Sequence, residues 1–163
     1  MTGIRIAIDA CRDNAIQVFR LERGLTVVAR EVEKLADDPV HLFDIGDHAM
    51  KHNQPERLLV VATEGERVAP SDSRSEFYRA VAWVMKSERP EDSERMLRDY
   101  LKRAPLRNTF PAPWRAHEWL GRLYENQQKT QAAIQEYETA LKLEPKDKTA
   151  REALKRLRKD AAS

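Results

Sequence analysis

The chain has 163 residues, 41% hydrophobic and 34% charged, with 29 Lys and Arg against 27 Asp and Glu and a net charge of +2. That apolar content excludes wholesale disorder, and five glycines with eight prolines exclude collagen-like or Gly/Pro-rich sequence. Interspersed signs give no reason to expect a nucleic-acid binder, and no run approaches the roughly 18 apolar residues of a membrane span. Met1-Thr2-Gly3-Ile4-Arg5 opens no apolar leader, and Cys11 is the single cysteine, so no internal disulfide and a reducing cytoplasm are expected.

Strand signals look weak, because short β-branched runs such as Thr26-Val27-Val28 and Val60-Val61 sit inside longer helical periods. Most of the chain reads as helices broken by proline, Asp or Gly. Pro39, Pro55, Pro70, Pro90, Pro105 and Pro113 fall where helices start or stop, and Pro145 follows the longest helical pattern. In chain order, a first helix pair is expected over about 5–38, with Ile8, Cys11, Gly24 and Val28 as its apolar and small positions. A second spans about 39–70, with Leu42, Ile45, Gly46 and Ala49 on its first helix. A third spans about 74–105, with Phe77, Ala80, Val81 and Val84, then Ser93 and Leu97. Ser73 or Asp72 caps its first helix, with Glu76 at capping-box distance from Ser73. The connector Leu106-Arg-Asn-Thr-Phe110-Pro111-Ala-Pro113 reads as a stiff packed spacer, with a partner-contacting loop as the sharper alternative. A fourth pair spans 114–147, and Asp147 N-caps a last helix to about residue 160. Ala150, Ala153, Leu154 and Leu157 form the apolar face of that helix; Arg151, Lys155, Arg158 and Lys159 form its outer face.

These pairs repeat. Glu22-Arg23-Gly24-Leu25-Thr26-Val27 and Glu56-Arg57-Leu58-Leu59-Val60-Val61 align at an offset of 34, and Pro70, Pro105 and Pro145 are 35 and 40 apart. In the fourth unit, Leu120 and Tyr124 share one helix face, while Gly121 and Ala133 are small enough to let two helices approach. Tyr137 and Ala140 put a large and a small residue on the facing side, and Pro145 forces the turn. The unit Trp114-Arg-Ala-His-Glu-Trp-Leu120-Gly121-Arg-Leu-Tyr124, followed by Ala133, Tyr137, Ala140 and Pro145, resembles the tetratricopeptide repeat family. His117 departs from it, standing where the family often has Trp, and reads as a packing residue. The resemblance implies an all-α, right-handed superhelical solenoid of about four helix hairpins plus a capping helix, in one domain over 1–163.

It also implies that positions two, five, nine and twelve of each unit face a concave groove. These are Asp9, Asp13 and Ile16; Val40, Phe43, Asp47 and Met50; Ser75, Tyr78, Ala82 and Met85; and Arg115, Glu118, Arg122 and Glu125. The expected site is therefore Phe43, Asp47, Met50, Tyr78, Met85, Arg115 and Arg122: apolar in the middle, acidic toward the N-terminal end and arginine-bearing toward the C-terminal end. Met and aromatic residues suit adaptable peptide binding, and arginine forks suit a carboxylate. The bland alternative is that Phe43, Met50 and Met85 pack between units. A subclass of the family holds chaperone C-terminal carboxylates through Lys, Asn and Arg. Here the first two units offer Asp or Phe instead, and Arg79 matches only in part, so the resemblance does not extend to that subclass.

The expected function is a non-enzymatic adaptor or scaffold holding a peptide or partner helix, without a cofactor; self-association through the array ends is open. The rival is a metal protein or cysteine enzyme. Asp9-Ala10-Cys11-Arg12 resembles the nucleophile segment of caspase-like peptidases, yet ten residues precede Cys11 and none is the required histidine. The simpler reading makes Cys11 a buried residue of the first helix. Asp44, His48 and His52 follow at i, i+4 and i+8 with His41 nearby, a ligand-like stripe, but Ala49-Met50-Lys51 lacks the metalloprotease glutamate. Lys155-Arg156-Leu157-Arg158-Lys159 has no interleaved aromatics and reads as a solvated face.

Overall fold

The computed structural model describes residues 5–11, 14–20, 39–103 and 111–161, with side chains described for 41–103 and 111–160. Its helical part is an all-α repeat solenoid. In chain order the helices are α1 (Pro39–Lys51), α2 (Pro55–Val68), α3 (Arg74–Lys86), α4 (Pro90–Arg103), α5 (Pro113–Asn126), α6 (Thr130–Leu143) and α7 (Lys148–Ala161). Each packs on the next, and α1 also lies on α3 and α3 on α5, so the first helices of successive pairs run side by side.

The expected helix pair over about 5–38 is not what the chain forms at its start. β1 (Arg5–Cys11) and β2 (Asn14–Arg20) pair antiparallel, with Ile6 opposite Phe19 and Ile8 opposite Gln17. Ile6, Ile8, Ile16 and Val18 are two apart along the chain, a period that fits a strand and not a helix. Residues 21–38 lie outside the described residues, as does most of the 106–113 connector.

Proline starts α1, α2, α4 and α5, where its missing N–H costs nothing and its fixed φ suits the first turn. At α3 the cap is Asp72. Its carboxylate accepts the Arg74 N–H at 2.9 Å, whereas the Ser73 side chain makes no capping bond. Asp147 caps α7, its Oδ1 accepting the Thr149 N–H at 2.9 Å.

The corners between the two helices of each pair are alike. Gln54, Glu88 and Lys129 donate their N–H groups back to the carbonyls of Ala49, Trp83 and Tyr124. One residue earlier, Asn53, Ser87 and Gln128 donate to Met50, Val84 and Glu125, and these three have φ of 52°, 56° and 59°. That is a Schellman ending, which usually places glycine at the left-handed residue; this chain uses none there.

Burial follows the helical period. Leu42, Phe43, Ala49 and Met50 of α1 and Ser93, Leu97 and Tyr100 of α4 form single stripes. α3 is buried nearly all round through Phe77, Tyr78, Ala80, Val81, Ala82 and Val84, because α1, α2, α4 and α5 all lie against it. Buried Ser93 is satisfied by donating to the Arg89 carbonyl at 2.9 Å. The Tyr100 hydroxyl donates to the Pro111 carbonyl and so ties α4 to the end of the connector.

Candidate functional site

The face made by the first helices divides into a closed half and an open half. In the closed half, α3 approaches α1 so nearly that a Cβ on Gly46 would stand 2.8 Å from the Tyr78 ring. Tyr78 is completely buried, and its hydroxyl donates to the Phe43 carbonyl at 3.1 Å and to Asp47 Oδ1 at 2.9 Å. The Phe43 ring stacks on that of Tyr78, with centroids 6.0 Å apart, and the Arg74 guanidinium covers it at 3.9 Å. Phe43 is 2% exposed and Met50 6%.

The expected apolar middle of the groove is therefore corrected. Phe43, Met50 and Tyr78 pack between helices and present almost no surface, as do Ser75 and Ala82. Val40 and the first-unit positions Asp9, Asp13 and Ile16 have no described side chains. Asp47 remains half-buried. Burial raises its carboxyl above the usual range, against the Tyr78 hydrogen bond and the positive charge of Arg115 and Arg74.

The open half is a cleft of about 410 Å³ between α5 and α7, floored by Tyr137 of α6 and closed at one side by Val84 and Met85 of α3. Arg122 lies over the Trp119 ring at 4.4 Å and pairs with Glu118 at 2.9 Å. The Glu118 side chain is buried, and that burial raises its carboxyl, only partly offset by Arg122. Beside it, Glu125 accepts the Tyr137 hydroxyl at 2.5 Å and pairs with Arg156 of α7. Thr149 and Glu152 form the α7 rim, and both are exposed.

Met85 and Arg122 of the expected site thus meet in this cleft, while Arg115 stacks on Trp114 outside its lining and Asp47 sits in the closed half. The position map missed Tyr137, Glu152 and Arg156, because it counts only first-helix residues of complete units. The Tyr137 ring is legible as the partner of Gly121: a Cβ on Gly121 would meet it at 2.7 Å.

The rival sites do not assemble. His48 and His52 are exposed and their rings lie 4.2 Å apart, but among the described residues no three His, Cys, Asp or Glu side chains gather as a metal site. Cys11 ends strand β1 and does not lie on a helix. His117 Nδ1 contacts Glu136 Oε2 at 2.7 Å, joining α5 to α6 in a network with Arg98, which bonds the Tyr124 hydroxyl at 2.6 Å. No helix among the described residues is long and apolar enough to cross a membrane.

Comparison with known proteins bears on this geometry. Residues 84–148 match the family model described as tetratricopeptide repeat. The fold is similar to the Arabidopsis OM64 TPR domain, with a TM-score of 0.57 and 23% identity over 74% of this chain and 94% of that one. It is similar to the first TPR domain of human RPAP3, with a TM-score of 0.58 and 20% identity over 76% and 92%. The first TPR of Spaghetti (RPAP3), bound to an HSP90 peptide, gives 0.58 and 21% over 77% and 96%. No curated protein sequence matches the chain.

Proposed function

We propose, for a tetratricopeptide-repeat protein whose family match spans residues 84–148, that the helical array is a non-enzymatic adaptor that takes a peptide or partner helix in the cleft between α5 and α7. The open cleft is the observation that carries this reading. Elsewhere on the same face α1 and α3 are closed by Tyr78, whereas α5 and α7 leave room for an incoming side chain. Half-buried Met85 offers an apolar wall, and the exposed edge of Arg122 offers N–H donors to a carboxylate. The segment that fits is short, with one apolar anchor beside an acidic group.

Similar domains support a peptide partner. The Spaghetti domain holds the HSP90 peptide SRMEEVD, and the second TPR domain of human RPAP3 holds the HSP70 peptide SGPTIEEVD. This chain puts buried Phe43 and half-buried Asp47 on α1, and its Arg79 is paired with Glu66 at 2.7 Å, so a chaperone tail is not the expected ligand. The array works without a metal or cofactor, in the cytoplasm, as one domain.

The test is selection of a displayed random 12-residue peptide library against the full chain. Enriched peptides are then measured by fluorescence anisotropy on wild type and on Thr149→Trp/Glu152→Trp, which fills the cleft from its exposed rim. The expected result is an enriched apolar–acidic pair and a loss of about tenfold or more in affinity, with helicity unchanged. Peptides that bind the filled variant equally well, or no enrichment at all, would overturn the proposal.

A further inference from the structure

α7 presents three sides, and the cleft uses only one. Ala150, Ala153, Leu154 and Leu157 are buried on the side toward α6. Thr149, Glu152 and Arg156 face the cleft. Lys148, Arg151, Lys155 and Arg158 follow at spacings of three, four and three, so they stack in one row about 15 Å long, and all four are exposed.

Few acids stand opposite this row. On the earlier helices many cations are matched locally: Arg67 with Glu64, Arg95 with Asp92, Lys102 with Asp99 and Arg103 with Glu76. In the row, Arg158 reaches Glu138 at 2.6 Å and Arg151 donates to the Pro145 carbonyl, but Lys148 and Lys155 make no ion pair among the described residues. Residues 146–159 hold seven Lys and Arg against Asp147 and Glu152, and Asp147 is buried under its cap, in a chain whose total charge is only +2. Lys148 and Arg151 also stand in the first turn, where the helix dipole opposes positive charge; only Arg158 lies where the dipole favours it. The cost of placing cations there is relieved when an anion neutralises them.

We propose that this outer row of α7 docks an acidic protein segment, independently of the cleft. An extended run of about five residues spans the row, its alternate Asp or Glu side chains reaching successive cations. A protein segment is favoured over nucleic acid because the helix carries no aromatic residue on which a base would stack. Several of the chain's own acids, Glu64, Glu66, Asp92 and Asp99, are already engaged by their own arginines and lysines, which makes them poor donors to a second copy.

The experiment uses the full chain, a fluorescein-labelled ten-residue peptide of alternating Asp and Glu, and ten-residue oligothymidine, read by anisotropy at two salt concentrations. The peptide is expected to bind at low salt and weaken as salt rises. Lys148→Glu/Lys155→Glu is expected to lower its affinity by about tenfold or more, and Lys148→Gln/Lys155→Gln by less. Thr149→Trp/Glu152→Trp is expected not to weaken it, which separates this surface from the cleft. Peptide binding that survives charge reversal, no binding at low salt, or tighter binding of oligothymidine than of the peptide would each overturn the proposal.

Discussion

The junction between α1 and α3 and the junction between α5 and α7 occupy equivalent places in the array and behave oppositely. At the first, Gly46 admits the next helix, and Tyr78 fills the space with its hydroxyl anchored on Phe43 and Asp47. At the second, Gly121 admits Tyr137 from its own partner helix, so nothing from α7 closes the gap and the cleft remains. The same small residue makes core in one place and a site in the other. What decides is whether the aromatic that uses the space comes from the next unit or from the same one.

The largest effect expected from breaking this contrast is Tyr78→Ala, which empties the closed junction. Urea unfolding should show a loss of about 3–5 kcal/mol. Gly46→Val should cost about 1–3 kcal/mol, because its side chain must displace a ring that has nowhere to go. A change below about 0.5 kcal/mol for either would mean that the junction is not closed in solution. At the open junction the effects are smaller. Because the folded-state pKa of Glu118 is raised, its charge opposes folding at neutral pH; that penalty is relieved as pH falls through the raised value toward the ordinary 4.5. Wild type should therefore gain stability relative to Glu118→Gln between neutral pH and pH 5, in paired thermal melts. Asp72, held low by Arg74 against its own desolvation, behaves in reverse: its contribution is present above 3.8 and lost as pH falls below it. The smallest effect belongs to Arg156→Ala. It removes an exposed pair with Glu125 that bridges the cleft, and should cost about 0–1 kcal/mol. A larger loss would mean that α7 is held by that pair and not by its apolar side.

Much of this array is legible in the residues. Proline marks helix starts, Asp147 marks a cap, and Leu120-Gly121 with Tyr124, Ala133 and Tyr137 mark a helix pair. Three features are not legible, each for its own reason. The strands Arg5–Cys11 and Asn14–Arg20 are signalled by Ile6, Ile8, Ile16 and Val18, but the offset of 34 between Glu22 and Glu56 extends the helical period over them. Groove positions are counted along the first helix of a unit and say nothing of depth, and Phe43 and Tyr78 are buried between helices. The corners hide because Asn53, Ser87 and Gln128 stand where glycine would have announced them.

Those corners have a consequence for how this protein can change. An ordinary residue held left-handed costs about 1–2 kcal/mol, and glycine would recover part of that while adding freedom to the unfolded chain. The three corners lie in different units. The array therefore carries an untapped reserve of tolerance: at Gln128 it lies off the cleft lining and the basic row, whereas Asn53 and Ser87 line the cleft. A lineage or an engineer could draw on Gln128 first, and then load the binding surfaces with substitutions that the present fold would not survive.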